Sequence, residues 1–143
     1  MHPAVWCGVA HMGHPDIVRQ IHIDYINAGA DVVTTNTFSS NRNMMGPAGL
    51  GDQVAETITA AVQRALEARE QAAVDRPVLV AGSMSHQVPI QPGTDTRQLD
   101  AVPDQATAEA NFSEMADLFA DCGVDLILLE ICLLYTSPSP RDS

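Results

Sequence analysis

The chain contains no lysine: its seven basic residues are all arginine and scattered, against 18 acidic residues, for a formal net charge of −11 over 143 residues. That balance disfavours nucleic acid or an anionic membrane surface as a partner, since both require basic patches. No apolar run approaches the ~20 residues that a membrane-crossing helix needs. No basic-then-apolar start resembles a signal peptide. Cysteine is sparse, and Cys7, Cys122 and Cys132 stand too far apart for a disulfide framework or a CxxC pair, so a reducing cytoplasm is the expected location. Neither a GxGxxG nor a Walker motif is present, which lowers the case for a nucleotide-binding fold. With 45% hydrophobic and 17% charged residues, the composition is that of a globular chain, long enough for one ordinary domain.

What is present is a repeated grammar. Asn27-Ala-Gly-Ala-Asp-Val-Val-Thr-Thr-Asn-Thr-Phe38 and Cys122-Gly-Val-Asp-Leu-Ile-Leu-Leu-Glu130 each run from a helix end through Gly and Asp into a short apolar segment that stops on polar residues. Gly29 and Gly123 suit the left-handed position that closes a helix. Val32-Val33 and Leu126–Leu129 read as strands buried on both faces, as in a parallel sheet. A third apolar run, Pro77–Ser83, falls between them. Helix–strand units therefore recur at a period of roughly 45–47 residues.

Pro15 in a first turn starts a helix with Ile17, Val18, Ile21, Tyr25 and Ile26 at helical spacing. A strand at Val32–Thr35 and a loop over Asn36–Leu50 follow. Asp52 is expected to cap a second helix striped by Val54, Ile58, Val62 and Leu66. A strand over Val78–Ala81 leads into a long connection, Gly82–Pro103, of the kind that is usually functional or mobile. Asp104 opens a third helix with Phe112, Met115, Leu118 and Phe119 on its apolar side, and the last strand is Val124–Leu129. This α-β-α-β-α-β order without hairpins implies an α/β fold of parallel strands, either an open doubly wound sheet or part of a (β/α)8 barrel. In both, ligands gather at the C-terminal ends of strands. Asp31 and Asp125 sit on the opposite rim and read as structural.

The run His22-Ile-Asp-Tyr-Ile-Asn-Ala-Gly-Ala-Asp-Val-Val-Thr-Thr-Asn-Thr-Phe38 closely resembles the homocysteine S-methyltransferase family, and Pro15–Val18 resembles that family's first helix. Val80–Ser83 and Gly123–Glu130 resemble its third and fourth barrel strands, in the right order and spacing. The resemblance covers roughly residues 3–130. It implies a (β/α)8 TIM barrel, here about three βα units, that moves a methyl group to the sulfur of homocysteine to give methionine. It also implies zinc held by three late cysteines. Zinc would deprotonate a thiol whose free pKa is ~8.5 while leaving it nucleophilic. The donor would carry its methyl on a sulfonium, a quaternary ammonium or a methylated folate.

Relative to that family, the opening strand with its Asp-Gly-x-x-Gly-Thr pattern is not seen, nor are strands five to eight or the zinc cysteines. Barrels of this kind typically run ~250 residues or more. The chain is therefore expected to be a catalytically inactive fragment, with residues 1–131 a partial homocysteine-binding barrel domain. Residues 132–143, Cys132-Leu-Leu-Tyr-Thr-Ser-Pro-Ser-Pro-Arg-Asp-Ser, change composition abruptly and read as a non-native tail, a sequencing artefact; the alternative is a flexible Ser/Pro segment.

Glu130, charged and directly after four apolar residues at the ligand-facing end of a strand, is the leading site candidate. The resemblance gives it the amino group of homocysteine, a charge-assisted contact; the alternative is a solvated strand end. Thr35, Asn36, Thr37 and Phe38 close their strand at the same rim, with Asn36, Thr37 and Phe38 as substrate contacts and turn capping as the alternative. Ser83, and the loop through His86, face that rim too. Ser39 stands where the betaine-using branch commonly has Tyr, which counts against betaine. His22 reads as packing or surface. His2, His11 and His14 match no zinc spacing, Cys122 reads as buried packing, and Met44 and Met45 read as loop or core fillers. Two other readings remain at this stage: a different α/β-barrel enzyme, or a non-catalytic small-molecule-binding protein.

Overall fold

The computed structural model describes residues 5–91, 93, 94 and 96–130. Its regular elements are α1 (Ala10–Gly13), α2 (Pro15–Asn27), β1 (Val32–Thr34), α3 (Arg42–Met45), α4 (Val54–Gln71), β2 (Leu79–Ser85), α5 (Gln105–Cys122) and β3 (Leu126–Glu130). The three strands form one sheet in the order β1-β2-β3, all parallel. Val33 pairs with Val80, and Ser85 pairs with Glu130. Each crossover carries a helix, as parallel pairing demands.

Local chemistry sets the element ends. Gly29 and Gly123 both have positive φ, +111° and +77°, and close α2 and α5 as their sequence context predicts. The Asp104 side chain accepts from the Thr107 amide at 2.8 Å, capping α5, and that hydrogen bond holds its carboxyl below the usual carboxylate range.

The core lies between the sheet and helices α4 and α5. Ile58, Val62, Met115 and Phe119 are fully enclosed, together with Met44 and Met45 from α3. Each such side chain contributes about 1.5–3 kcal/mol relative to exposure. A second cluster joins Ile26, Val33, Ala65, Ala68, Val78 and Val80. Gly82 in β2 lies against the ring of Phe119; a Cβ there would come within 2.8 Å of the ring's Cγ.

Several expectations need correction. β2 runs four residues past Ala81, to Ser85, because β3 offers it partners all the way to Glu130. Asn36–Leu50 is not all loop: Asn41 caps α3, its side chain accepting from the Met44 amide at 3.0 Å. Asp52 does not cap the second helix; it sits in a 3₁₀ turn, Gly51–Gln53, and α4 begins at Val54 with no side-chain cap. The last strand starts at Leu126, not Val124, and includes Glu130. Leu126–Leu129 are not buried on both faces but 36–58% exposed, because β3 is an edge of the described sheet. On α2 the buried face is Val18, His22 and Ile26, whereas Ile17, Ile21 and Tyr25 are exposed. The reading of residues 132–143 lies outside the described residues.

Asp31 and Asp125 hold the rim away from the strand C-termini. Asp31 pairs with Arg76 at 2.7 Å. Asp125 pairs with Arg69 at 2.8 Å, and its Oδ2 accepts from the Val80 amide at 2.7 Å. Both have structural partners, in line with the sequence reading.

Candidate functional site

At the C-terminal ends of the strands, short polar side chains close a ring of hydrogen bonds. The Thr37 hydroxyl donates to the Ser83 carbonyl at 2.7 Å. Its single proton is thereby used, so Thr35 must donate to Thr37 across their 2.7 Å contact. Thr35 Oγ1 in turn accepts from the Ser83 amide at 3.1 Å. The ring fixes the backbone of Ser83, whose own hydroxyl donates to Glu130 Oε1 at 2.7 Å. Thr35, Thr37 and Ser83 are all buried, so these bonds act in low dielectric.

A cleft of about 530 Å³ opens beside this ring, lined in part by Asn36, Phe38, Ser83 and Glu130. Four of the five expected contact residues therefore meet in one place. Thr37 does not line the cleft; it is enclosed and its hydroxyl is committed to Thr35 and Ser83. α2 also lines the cleft, with Ile21, His22 and Tyr25. The exposed apolar face of that helix, unexpected from its spacing alone, is thus largely cleft wall.

Asn36 is held from outside the strand. Its Nδ2 donates to the Cys7 carbonyl at 2.7 Å and lies 3.2 Å from His11 Nδ1, while His11 Nε2 lies 2.8 Å from the Thr57 carbonyl. Sequence spacing gave no signal for His11, which comes from a four-residue helix well before the strand. Burial pushes the pKa of His11, His22 and His86 down. For His11, the Thr57 carbonyl opposes that shift and Arg64 reinforces it.

A second cleft, of about 500 Å³, adjoins the first. Phe38 lines both. Trp6, Gln87 and Arg97 also line the second cleft. Gln87 is buried with its Oε1 unpartnered among the described residues. His86, beside it, packs its ring on Phe112 with centroids 4.8 Å apart.

The residues described do not fit a zinc site. No three His, Cys, Asp or Glu side chains among them converge. Cys7 lines the cleft, whereas Cys122 ends α5 near Thr59. No described helix is long and apolar enough to cross a membrane.

The chain is similar to several known proteins. The profile of the homocysteine S-methyltransferase family matches residues 1–136. Methionine synthase from Mycobacterium tuberculosis is 35% identical over 121 residues, covering 82% of this chain and 9% of that protein. Betaine–homocysteine S-methyltransferase 1 from Bos taurus is 26% identical over 127 residues, covering 87% of the chain and 28% of the relative. The metallated crystal structure of the homocysteine methyltransferase MmuM from Escherichia coli superposes with a TM-score of 0.66 at 23% identity, over 89% of this chain and 46% of that one. The parallel sheet and its crossover helices are thus part of a (β/α)8 barrel, and the chain spans less than half the length of each of these proteins.

Proposed function

The chain belongs to the homocysteine S-methyltransferase family, and from that premise we propose that it is the early part of a barrel that binds homocysteine in the first cleft for methylation at sulfur, giving methionine. One observation carries this reading: Ser83 and Glu130, hydrogen-bonded at 2.7 Å, share the cleft with Asn36 and Phe38. A carboxylate oriented by a hydroxyl is suited to an ammonium group, and such charge-assisted contacts are short and directional. Phe38 supplies an apolar wall for the methylene groups of the amino acid. The enclosed ring of Thr35, Thr37 and Ser83 costs no rearrangement when the ligand arrives.

The methyl donor belongs in the adjoining cleft on this reading. A methyl on a sulfonium or quaternary ammonium centre is attracted to aromatic faces such as those of Trp6 and Phe38, and the Arg97 guanidinium suits a donor carboxylate. Zinc, which in the family would hold the homocysteine sulfur as thiolate, has no ligand set among the described residues. The free thiols Cys7 and Cys122 accord with a cytoplasmic setting.

The test uses the complete gene product with zinc supplied. L-homocysteine should bind in calorimetry, methionine should form with one of the three donor classes, and Glu130→Gln should weaken binding roughly 10- to 100-fold. Homocysteine binding without methyl transfer from any donor would favour a non-catalytic binding protein. Absence of both would favour a different barrel enzyme.

A further inference from the structure

His11 contacts Asn36 from a helix outside the barrel strands, and the hydrogen-bond chemistry of the pair is fully determined. The Thr57 carbonyl only accepts, so the His11 nitrogen 2.8 Å from it, Nε2, carries a proton. In the neutral ring Nδ1 is then a lone pair, and it accepts from Asn36 Nδ2 at 3.2 Å. The second Asn36 amide hydrogen goes to the Cys7 carbonyl at 2.7 Å. A flipped amide would set oxygen against two acceptors, so the orientation is fixed. With both hydrogens used, what Asn36 offers the cleft it lines is its oxygen, which has a weak donor in Cys7 Sγ at 3.7 Å.

We propose that His11 is a positioning residue: by accepting from Asn36 it presents the Asn36 amide oxygen to the cleft as a fixed acceptor for the ammonium of the bound amino acid, opposite the Glu130 carboxylate. The ligand half of this statement rests on the homocysteine reading; the hold of His11 on Asn36 does not. Protonating His11 would turn Nδ1 into a donor facing the Asn36 NH₂ group, and the amide would lose its register. The charged and titratable groups that bear on His11 and its partner Asn36 are Arg64 on α4, which disfavours the imidazolium, and Cys7 ahead of α1, which also contacts Asn36.

The experiment has two arms, both on the complete gene product. Without ligand, ¹⁵N NMR of His11 should report the neutral Nε2–H tautomer. In Asn36→Asp, which has no hydrogens to give, the same ring should take up a proton and show the imidazolium pattern at neutral pH. An Nδ1–H tautomer, or a ring indifferent to Asn36→Asp, overturns the hold.

With ligand, His11→Ala and Asn36→Ala should each weaken homocysteine binding roughly fivefold to tenfold, and the double variant should be no weaker than Asn36→Ala alone, because one acts through the other. Additive losses would mean a merely structural histidine and overturn the proposal. Should His11→Ala fail to fold, His11→Phe, which keeps the ring bulk but has no acceptor for Asn36, replaces it. Wild-type protein that binds no homocysteine overturns the parent reading and the ligand half together, while the NMR arm still decides the hold of His11 on Asn36.

Discussion

Ser83 on β2 donates its hydroxyl to Glu130 on β3 at 2.7 Å, two residues beyond its direct partner in the parallel register, Leu128. The contact is diagonal, on one face of the sheet, and sets the carboxylate at the strand C-termini. Removing it with Ser83→Ala leaves the charge of Glu130 but not its aim. Homocysteine affinity of the complete gene product should fall roughly threefold to tenfold, less than for Glu130→Gln. Calorimetric titration of both variants checks the order; an equal or larger loss for Ser83→Ala would contradict it.

Thr37 acts behind the site. Thr37→Val preserves shape but deprives the enclosed Ser83 carbonyl of its hydroxyl donor and the Thr35 hydroxyl of its acceptor. Stability should drop by about 1–3 kcal/mol, read as a lowered denaturant midpoint. Binding should weaken as well, through the displaced Ser83.

Gly82 is required by the close approach of Phe119. Gly82→Ala would place a methyl 2.8 Å from the ring, inside contact distance, and should cost about 1–3 kcal/mol by overpacking. The combination Gly82→Ala with Phe119→Leu should recover part of that loss. Thermal unfolding of the single and double variants checks both statements.

His11, His22 and His86 are buried with folded-state pKa values below the ordinary ~6.5. Below that pH the unfolded chain binds protons that the folded chain refuses. Their contribution to stability is therefore intact above about pH 6.5 and is lost as pH falls toward the depressed folded values. The ring resonances of these three histidines should titrate with midpoints below about pH 6.5, and replacing His22 by Leu should flatten the acid limb of the stability profile.

Residues 1–143 expressed alone should associate or unfold without a cooperative transition. Val32, Leu79 and Leu126–Leu129 expose apolar side chains on a sheet whose described edges, β1 and β3, are open. Size-exclusion chromatography and a thermal melt decide this; a soluble monomer with a sharp transition would refute it.

Much of the architecture was legible because glycine and aspartate punctuate each helix-to-strand passage and apolar runs mark the strands. Glu130 stood out as a charge at the end of an apolar run. What stayed hidden depended on partners distant in sequence. Gly82-Ser-Met-Ser85 looks like the start of a loop, and becomes strand because β3 pairs along its full length. Ile21 and Tyr25 match core spacing, but they stay exposed along the cleft, while His22, which also lines it, is buried. His11 finds Thr57 and Asn36 across separations of 46 and 25 residues, which no local pattern encodes.

The Asn41 side chain caps α3 with its oxygen and donates from its nitrogen to the Ser85 carbonyl at 3.3 Å, while the Ser85 hydroxyl donates to the Phe38 carbonyl. This stitching makes the segment after β1 and the tip of β2 a single mechanical unit, with Phe38, which lines both clefts, standing on it. Neither compartment can be widened alone. On the proposed assignment of the two clefts, substitutions that admit a bulkier methyl donor carry a correlated change in amino-acid grip.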